Sequence, residues 1–444
     1  MERLGGENVG ERVPAGRVAL ASFVGTAIEW YDFFIYGTAA ALVFGQLFFP
    51  PNEDPLIGTL AAFATYAVGF AARPVGGVVF GHFGDRVGRK SMLVITILTM
   101  GLATFLIGLL PTYAQVGIWA PVLLVVLRLI QGFSVGGEWG GAALMTVEHA
   151  PEGRRGYYGS WTMAASPAGA MLATGAFALA SGLPDEQFLA WGWRLPFLLS
   201  IVLVGVGLFI RLRILETPAF ERIKEAGAEV RLPVVEAVRE HPRSVLLAAG
   251  MNLGFNTFIF VLFTFMLSYA TTQLGLPRGV VLQATVVGGA VQIASVLAFS
   301  ALSDRVGRRP VMLAGAAFLA LYAFPLFWIV NTGSAALIFL ALAIGFFGSA
   351  AIFGPMAAFI AESFDTKVRY SGASLGYQMG AVLGGGLSPF VATALLAWSG
   401  GASWSVSVYL VLGALMSLVS VYLFAETYRS DLLSGARKED AAVT

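Results

Sequence analysis

Five ionisable residues stand inside long apolar runs of the chain: Glu29, Asp32, Arg73, Arg128 and Glu138. At bilayer depth such a charge costs about 2.5–3.5 kcal/mol on insertion scales, so each is a functional candidate that needs a partner. At a helical rise of about 1.5 Å per residue, Glu138 and Arg73 lie about 12–14 Å from the same-side ends of their runs, Glu29 about 16 Å, Asp32 about 21 Å and Arg128 about 27 Å. Arg73 and Glu138 therefore match in depth, either as a fixed ion pair or as part of a substrate site. Arg128 and Glu138 are about 15 Å apart on one helix and cannot pair. Arg128 needs a partner on another run or in the substrate. Two arginines against three carboxylates leave one carboxylate without a fixed countercharge, and desolvation disfavours its charged form, which makes it the proton-carrier candidate. Glu29 and Asp32 share one helical face and can hold a proton as a coupled pair, Asp32 being the deeper; Glu138 is the third candidate.

The second half of the chain has no ionisable residue inside its apolar runs. It has neutral groups instead: Asn252 and Asn256 one helical turn apart, Gln283, Gln292, Tyr377 and Gln378. This suggests a division of labour, with charge and proton handled by the first half and neutral hydrogen bonds to cargo supplied by the second; the alternative is that the amides only join helices. Arg128, Arg73, Gln131, Asn252, Asn256, Gln292, Tyr377 and Gln378 are the substrate-binding candidates. The aromatic residues Tyr36 and Trp161, with Trp30 and Trp139, can wall a cavity. His82, His149 and His241 fall at helix ends or in loops, and no metal or nucleophile constellation appears, which argues against an enzyme or a metal site.

These side chains need a membrane to hold them. Of 444 residues, 57% are hydrophobic and 12% charged, with a mean hydropathy of +0.78, whereas ordinary soluble domains carry about 25% charged residues. The formal charge of +1 gives no basis for nucleic-acid binding. Zero Cys excludes a disulfide framework or a thiolate site. A membrane helix needs about 20 apolar residues, and twelve such runs occur. They span residues 18–45, 57–82, 91–111, 118–146, 157–182 and 192–212, then 244–271, 279–301, 311–330, 335–360, 373–397 and 404–425. An N-terminus on the inside places 23 of the 27 Lys and Arg on cytosolic segments, which predicts both termini cytosolic. The expected organisation is a tail 1–17, a six-helix half 18–212, a cytosolic linker 213–243 of short surface helices, a second half 244–425 and a tail 426–444. The protein is expected in the plasma (inner) membrane.

The chain repeats itself across the linker. Gly-Asp-Arg-Val-Gly-Arg-Lys at 84–90 recurs as Ser-Asp-Arg-Val-Gly-Arg-Arg at 303–309, and Arg follows Glu by seven residues in both Glu148–Arg155 and Glu362–Arg369. Two duplicated six-helix halves with a substrate site between them are the plan of a rocking transporter. In the loops, Asp85 and Asp304 can accept from helix N-termini and neighbouring arginines when that side is closed. The gating candidates are Gly81, Asp85, Arg86, Gly88 and Arg89 in the first copy and Asp304, Arg305 and Arg308 in the second. Glu148 with Arg155, and Glu362 with Arg369, extend these networks.

The stretch 81–90 resembles the loop motif Gly-x-x-x-Asp-Arg-x-Gly-Arg-Lys of the major facilitator superfamily. Glu29-Trp30-Tyr31-Asp32-Phe33, Arg73-Pro74-Val75-Gly76-Gly77, Gln131 to Glu138, Trp191 to Phe197 and Glu216 to Phe220 are similar to its metabolite:proton symporter family, over about residues 18–426. The resemblance implies an all-α fold of twelve transmembrane helices in two pseudo-symmetric halves, and proton-coupled uptake of small metabolites such as dicarboxylates, oxoacids, shikimate, proline or betaines. Ser300 stands where the second loop motif usually has Gly, at a point of tight helix packing. The tail after Glu426 does not resemble the coiled-coil tail of osmosensing members.

Gly84 to Ser91 fails the phosphate-loop spacing, so no nucleotide is expected and transport must run on gradients. The expectation is a proton symporter of a small organic acid, with no cofactor other than the proton as coupling ion. Its partners are a small-molecule substrate and the lipid bilayer, and it acts as a monomer. Symport of a zwitterion, an uncoupled facilitator and a transporter-like sensor are the competing readings.

Overall fold

The structure, a computed structural model, describes residues 15–51, 54–87, 89–136, 139–148, 150–213, 238–239, 241–364 and 369–428. Glu138, Gly88, most of the linker and both extreme tails lie outside the described residues, as do the side chains of Asp85, Arg86, Arg89 and Trp139. Every described element is helical, as a bilayer demands of a backbone that must satisfy its own hydrogen bonds.

Each of the twelve expected runs is a helix or a pair of joined helices. The first span is the α-helix Ala15–Ala39 continued by the π turn Ala40–Phe44. The second is Pro55–Val87, the third Arg89–Leu109, the fourth Trp119–Val135 with Trp139–Glu148, the fifth Arg155–Ala180 and the sixth Arg194–Arg213. In the second half, span seven is Pro242–Phe260 with the π turn Val261–Phe265 and Met266–Thr272; spans eight, nine and ten are Arg278–Val306, Arg308–Val330 and Ala335–Glu362. Span eleven joins Arg369–Gly380, the π turn Ala381–Gly386 and Ser388–Trp398, and span twelve is Trp404–Leu423. Among the described residues, eight helices are long and apolar enough to cross a membrane, and Asp185–Gly192 with Arg194–Phe209, bent by 42° at their junction, reach that length and apolarity only together. The π turns of spans one and seven occupy equivalent places in the two halves, where an added residue widens the helix next to the central site.

Spans three and six pack together on one flank and nine and twelve on the other, and they carry exposed residues such as Leu102, Phe209, Leu321 and Leu412 toward lipid. Spans one, seven and ten are the most enclosed. The halves meet chiefly through spans five and eight, five and ten, and two and eleven.

Glycine sets the closest crossings. A Cβ on Gly76 would meet the Phe133 carbonyl, one on Gly132 the Gly69 carbonyl, and one on Gly136 the Arg73 carbonyl, so spans two and four touch backbone to backbone. Ser300 is fully buried and donates to Val296 O at 2.6 Å, and it fits because Gly354 of span ten faces its hydroxyl. The small residue on the partner helix keeps the crossing of spans eight and ten close with Ser at 300. Gly307 has φ of 102° at the turn from span eight to nine, where a side chain would be strained.

Gly132→Val should destabilise the protein by about 1–3 kcal/mol through overpacking. A marked loss of monodisperse protein in detergent is expected, against no loss for Gly175→Val, whose Cβ meets nothing within 4 Å.

Candidate functional site

Span two presents Tyr66, Gly69, Phe70 and Arg73 at spacings of three and four, which puts them on one helical face. Opposite stand Phe33 and Tyr36 of span one and Arg128 and Gln131 of span four. The two arginines, both at most 2% exposed, converge on one ring: the Arg73 guanidinium lies 4.0 Å and that of Arg128 4.3 Å from the Phe33 centroid. Arg73 also lies over Phe70 at 4.4 Å, and Arg128 over Tyr36 at 4.3 Å and Tyr66 at 4.7 Å. Gly69 leaves the space through which Arg128 passes.

No described carboxylate pairs with Arg128. Its Nη1 donates to Gln131 Oε1 at 2.5 Å, its Nη2 reaches Tyr66 O at 3.5 Å, and its Nε has no hydrogen-bond partner among the described residues. The partner sought for this cation on another span is thus a set of ring faces and a carbonyl. Gln131 ties the cation to span one by donating from Nε2 to Asp32 O at 2.8 Å and to Thr104 Oγ1 at 2.8 Å. Tyr36 turns its hydroxyl to Thr65 at 2.7 Å and walls the Arg128 box.

Asp32 is fully buried, and neither carboxyl oxygen has a hydrogen bond among the described residues. The hydroxyl of Thr104 faces it, but its proton is donated to Met100 O at 3.0 Å. Glu29 lies within electrostatic reach of both Asp32 and Arg73. Asp32 is therefore the acid held in the drier place, and Glu29 is the one beside the cavity.

Two central spaces lie between the halves and share Trp30 and Tyr377 as walls. One is lined by Thr26, Glu29, Arg73, Val135 and Gln378; the other by Phe34, Ser166, Phe255, Asn256, Ile259, Phe260, Phe263, Gln292 and Phe353. Of the substrate-binding candidates, Arg73, Asn256, Gln292, Tyr377 and Gln378 line these spaces. Arg128 and Gln131 sit behind Phe33, and Asn252 braces the wall by donating to Tyr377 O at 2.6 Å. Trp161 packs on Phe23 and Tyr157 and lines neither space. Sequence reading missed the phenylalanines, Ser166 and Thr26. Phe255, Ile259 and Phe263 do recur at every fourth position beside Asn252 and Asn256, a pattern that an apolar membrane helix shares with its packing faces.

Contacts between the halves bridge both ends of the bundle. At the end bearing the repeated loops, Asp304 accepts from Gly156 N at 2.8 Å and Tyr157 N at 2.9 Å, a carboxylate at the N-terminus of span five. Arg308 pairs with Asp304 at 2.6 Å and Glu362 at 3.2 Å, while Glu426 accepts from Arg308 N and Arg309 N, both at 3.0 Å. The Glu–Arg echoes cross over between copies: Arg369 pairs with Glu148 at 3.7 Å, and Arg155 acts on Glu362. Arg305 is exposed. Leu144 and Val147 meet Ala358 and Ala361 beside these ions. At the other end Arg278 binds Asp185 at 2.6 Å and Leu183 O at 3.3 Å and lies over Phe188 at 4.0 Å.

Residues 22–377 match the family model of the Major Facilitator Superfamily. The chain belongs to that superfamily. It is 44% identical to the "Shikimate transporter" of Escherichia coli (strain K12), covering 94% of this chain and 96% of the relative. It is 36% identical to the "Proline/betaine transporter" of Salmonella typhimurium, over 92% of this chain and 83% of that one. The partially occluded, inward-open xylose transporter XylE from E. coli superposes with a TM-score of 0.72 at 19% identity, over 94% of this chain and 99% of that one. This superfamily member is thus a multi-pass membrane transporter of a small molecule, and its fold is the twelve-helix major facilitator fold.

If Asp304 latches the two halves, its loss should open that end. The chain has no cysteine, so a single Ala361→Cys reporter reads access directly. Asp304→Ala should raise its thiol-labelling rate about tenfold or more, and an unchanged rate would remove Asp304 from the latch.

Proposed function

We propose that this transporter is a proton symporter that imports a small organic acid into the cell across the plasma membrane, with both termini cytosolic, by alternating access. The observation that carries this reading is that a cavity-lining arginine, Arg73, and a fully buried acid, Asp32, whose oxygens have no hydrogen bonds among the described residues, both lie within electrostatic reach of Glu29. Arg73 offers a planar fork that suits a carboxylate. Its ring contacts hold it without supplying an anion of their own.

An ionised Asp32 in this dry setting would carry a large desolvation cost, so the closed state is read as the one in which Asp32 holds the proton. Release of that proton toward the cytosol leaves an anion that can draw Arg128 from its aromatic box through the Gln131 link. Movement of Arg128 past Phe33 shifts the ring on which Arg73 rests, and the hold on the cargo carboxylate weakens. The Asp304 and Glu148–Arg369 contacts on the inside break before the proton leaves, while Asp185–Arg278 stays closed, and this opens the cavity to the cytosol. The likeness to a shikimate transporter supports an acid as cargo; the likeness to a proline/betaine transporter is the observation that favours a zwitterion as the second reading.

Purified protein in liposomes with an internal pH dye tests this. Shikimate added outside should acidify the lumen. Asp32→Asn should abolish that acidification while labelled shikimate still exchanges across the membrane, and Arg73→Ala should abolish both. Uptake of the acid by the wild-type chain without proton movement would make it a facilitator.

A further inference from the structure

Three amides of the second half line the two central spaces, Asn256 and Gln292 the one and Gln378 the other, and each already donates from its nitrogen within the protein. Gln378 Nε2 donates to Gly136 O at 3.1 Å, and a carbonyl can only accept, which settles the amide orientation. Gln292 Nε2 donates to Ser349 Oγ at 3.1 Å; the serine's own proton goes to Phe346 O at 2.8 Å, so Ser349 can only accept there. Asn256 Nδ2 donates to Asn252 O at 2.8 Å and Asn252 Oδ1 at 2.7 Å. Gln378 and Gln292 each keep a second N–H on the amide nitrogen, but the carbonyl oxygen is the end left wholly unmade. Gln292 Oε1 and Gln378 Oε1 are buried and have no partner among the described residues, on side chains 1% and 6% exposed.

A buried acceptor left unmade is costly, and a site built from acceptors rejects a ligand that cannot donate to them. Simple dicarboxylates and oxoacids bring only acceptors at neutral pH, and a quaternary ammonium brings none of the N–H or O–H groups these oxygens require. The space around Gln292 and Asn256 has no Asp, Glu, Lys or Arg in its lining, so a charged donor there would go without a countercharge. Neutral hydroxyls satisfy all three oxygens without burying a charge. The flanking walls are flat ring faces, including the Phe255–Phe353 stack with centroids 4.4 Å apart, which suit a ring or a compact carbon skeleton.

We infer that the cargo is a hydroxylated carboxylate held end to end, its anion on Arg73 and its hydroxyls donating to Gln378, Gln292 and Asn256, which are the specificity-determining residues. This deepens the organic-acid reading above and rests on it. The choice among cargos then lies in the second half, in residues whose charge never changes during the transport cycle.

Isothermal titration of the purified full-length chain with shikimate, cyclohex-1-ene-1-carboxylate, proline and glycine betaine tests the inference without relying on proton coupling. Shikimate carries a carboxylate and three hydroxyls on a ring, and the cyclohexene acid is the same ring without them. The wild-type chain should bind shikimate at least about tenfold more tightly than the bare acid. In Gln292→Leu that ratio should fall about tenfold, mostly through weaker binding of shikimate. Equal affinities for the two acids in the wild-type chain would overturn the inference and leave the organic-acid reading standing; this comparison needs no variant to fold. An unchanged ratio in Gln292→Leu, Gln378→Leu and Asn256→Leu alike would also overturn it. A chain that binds neither acid, whether or not it takes proline or glycine betaine, overturns both.

Discussion

Two guanidiniums buried a ring apart are the costliest feature of this bundle, and the first half is arranged to tolerate them. Arg73 and Arg128 repel each other, yet both rest on Phe33, whose negative faces offset part of the lost hydration. The arrangement needs spans two and four in backbone contact, which explains the glycines at 69, 76, 132 and 136. It also needs the amide of Gln131 to turn one cation toward span one. A bundle built only for stability would have apolar side chains here. A cation held by quadrupoles and one amide is easily displaced by a full charge, and that suits a part that must respond when a nearby acid gains or loses a proton.

The ends of the molecule follow from the duplication. Each copy of the loop and Glu–Arg elements supplies one side of a contact completed by the other copy, as in Arg369 with Glu148 and in Asp304 at the N-terminus of span five. Pairing within a copy would hold each half together and leave the halves indifferent to each other. Crossed pairing makes closure of that end a property of both halves at once. The short apolar cluster of Leu144, Val147, Ala358 and Ala361 keeps water from the ions. At the opposite end the Asp185–Arg278 pair is partly exposed, and a surface pair of this kind is worth little energy. Parting that pair costs little.

The centre separates charged groups from neutral hydrogen-bonding ones. Arg73 and Glu29 lie at one pole, on first-half spans that also carry Asp32 and Arg128. The amides and most of the ring faces lie at the other pole, on spans seven, eight, ten and eleven. Substitutions at the second pole alter hydrogen-bond demand while leaving the charges in place.

Hydropathy and duplication were enough to determine twelve helices, two halves, the repeated loops and the short set of charges on which function turns, because period, length and charge cost in lipid are local properties of a chain. Ser300 could be seen as out of place, but its compensation by Gly354 could not, since the two are brought together only when spans eight and ten cross. Depth along each span is only one coordinate, and the rotation of each helix decided that Arg73 lines the cavity while Arg128 sits behind Phe33. The same rotation left Trp161 outside the cavity and put Phe255 and Phe353 in it. The amide oxygens of Gln292 and Gln378 became informative only once the partners of their nitrogens were known, because a sequence counts donors and acceptors and tertiary structure decides which of them are already satisfied.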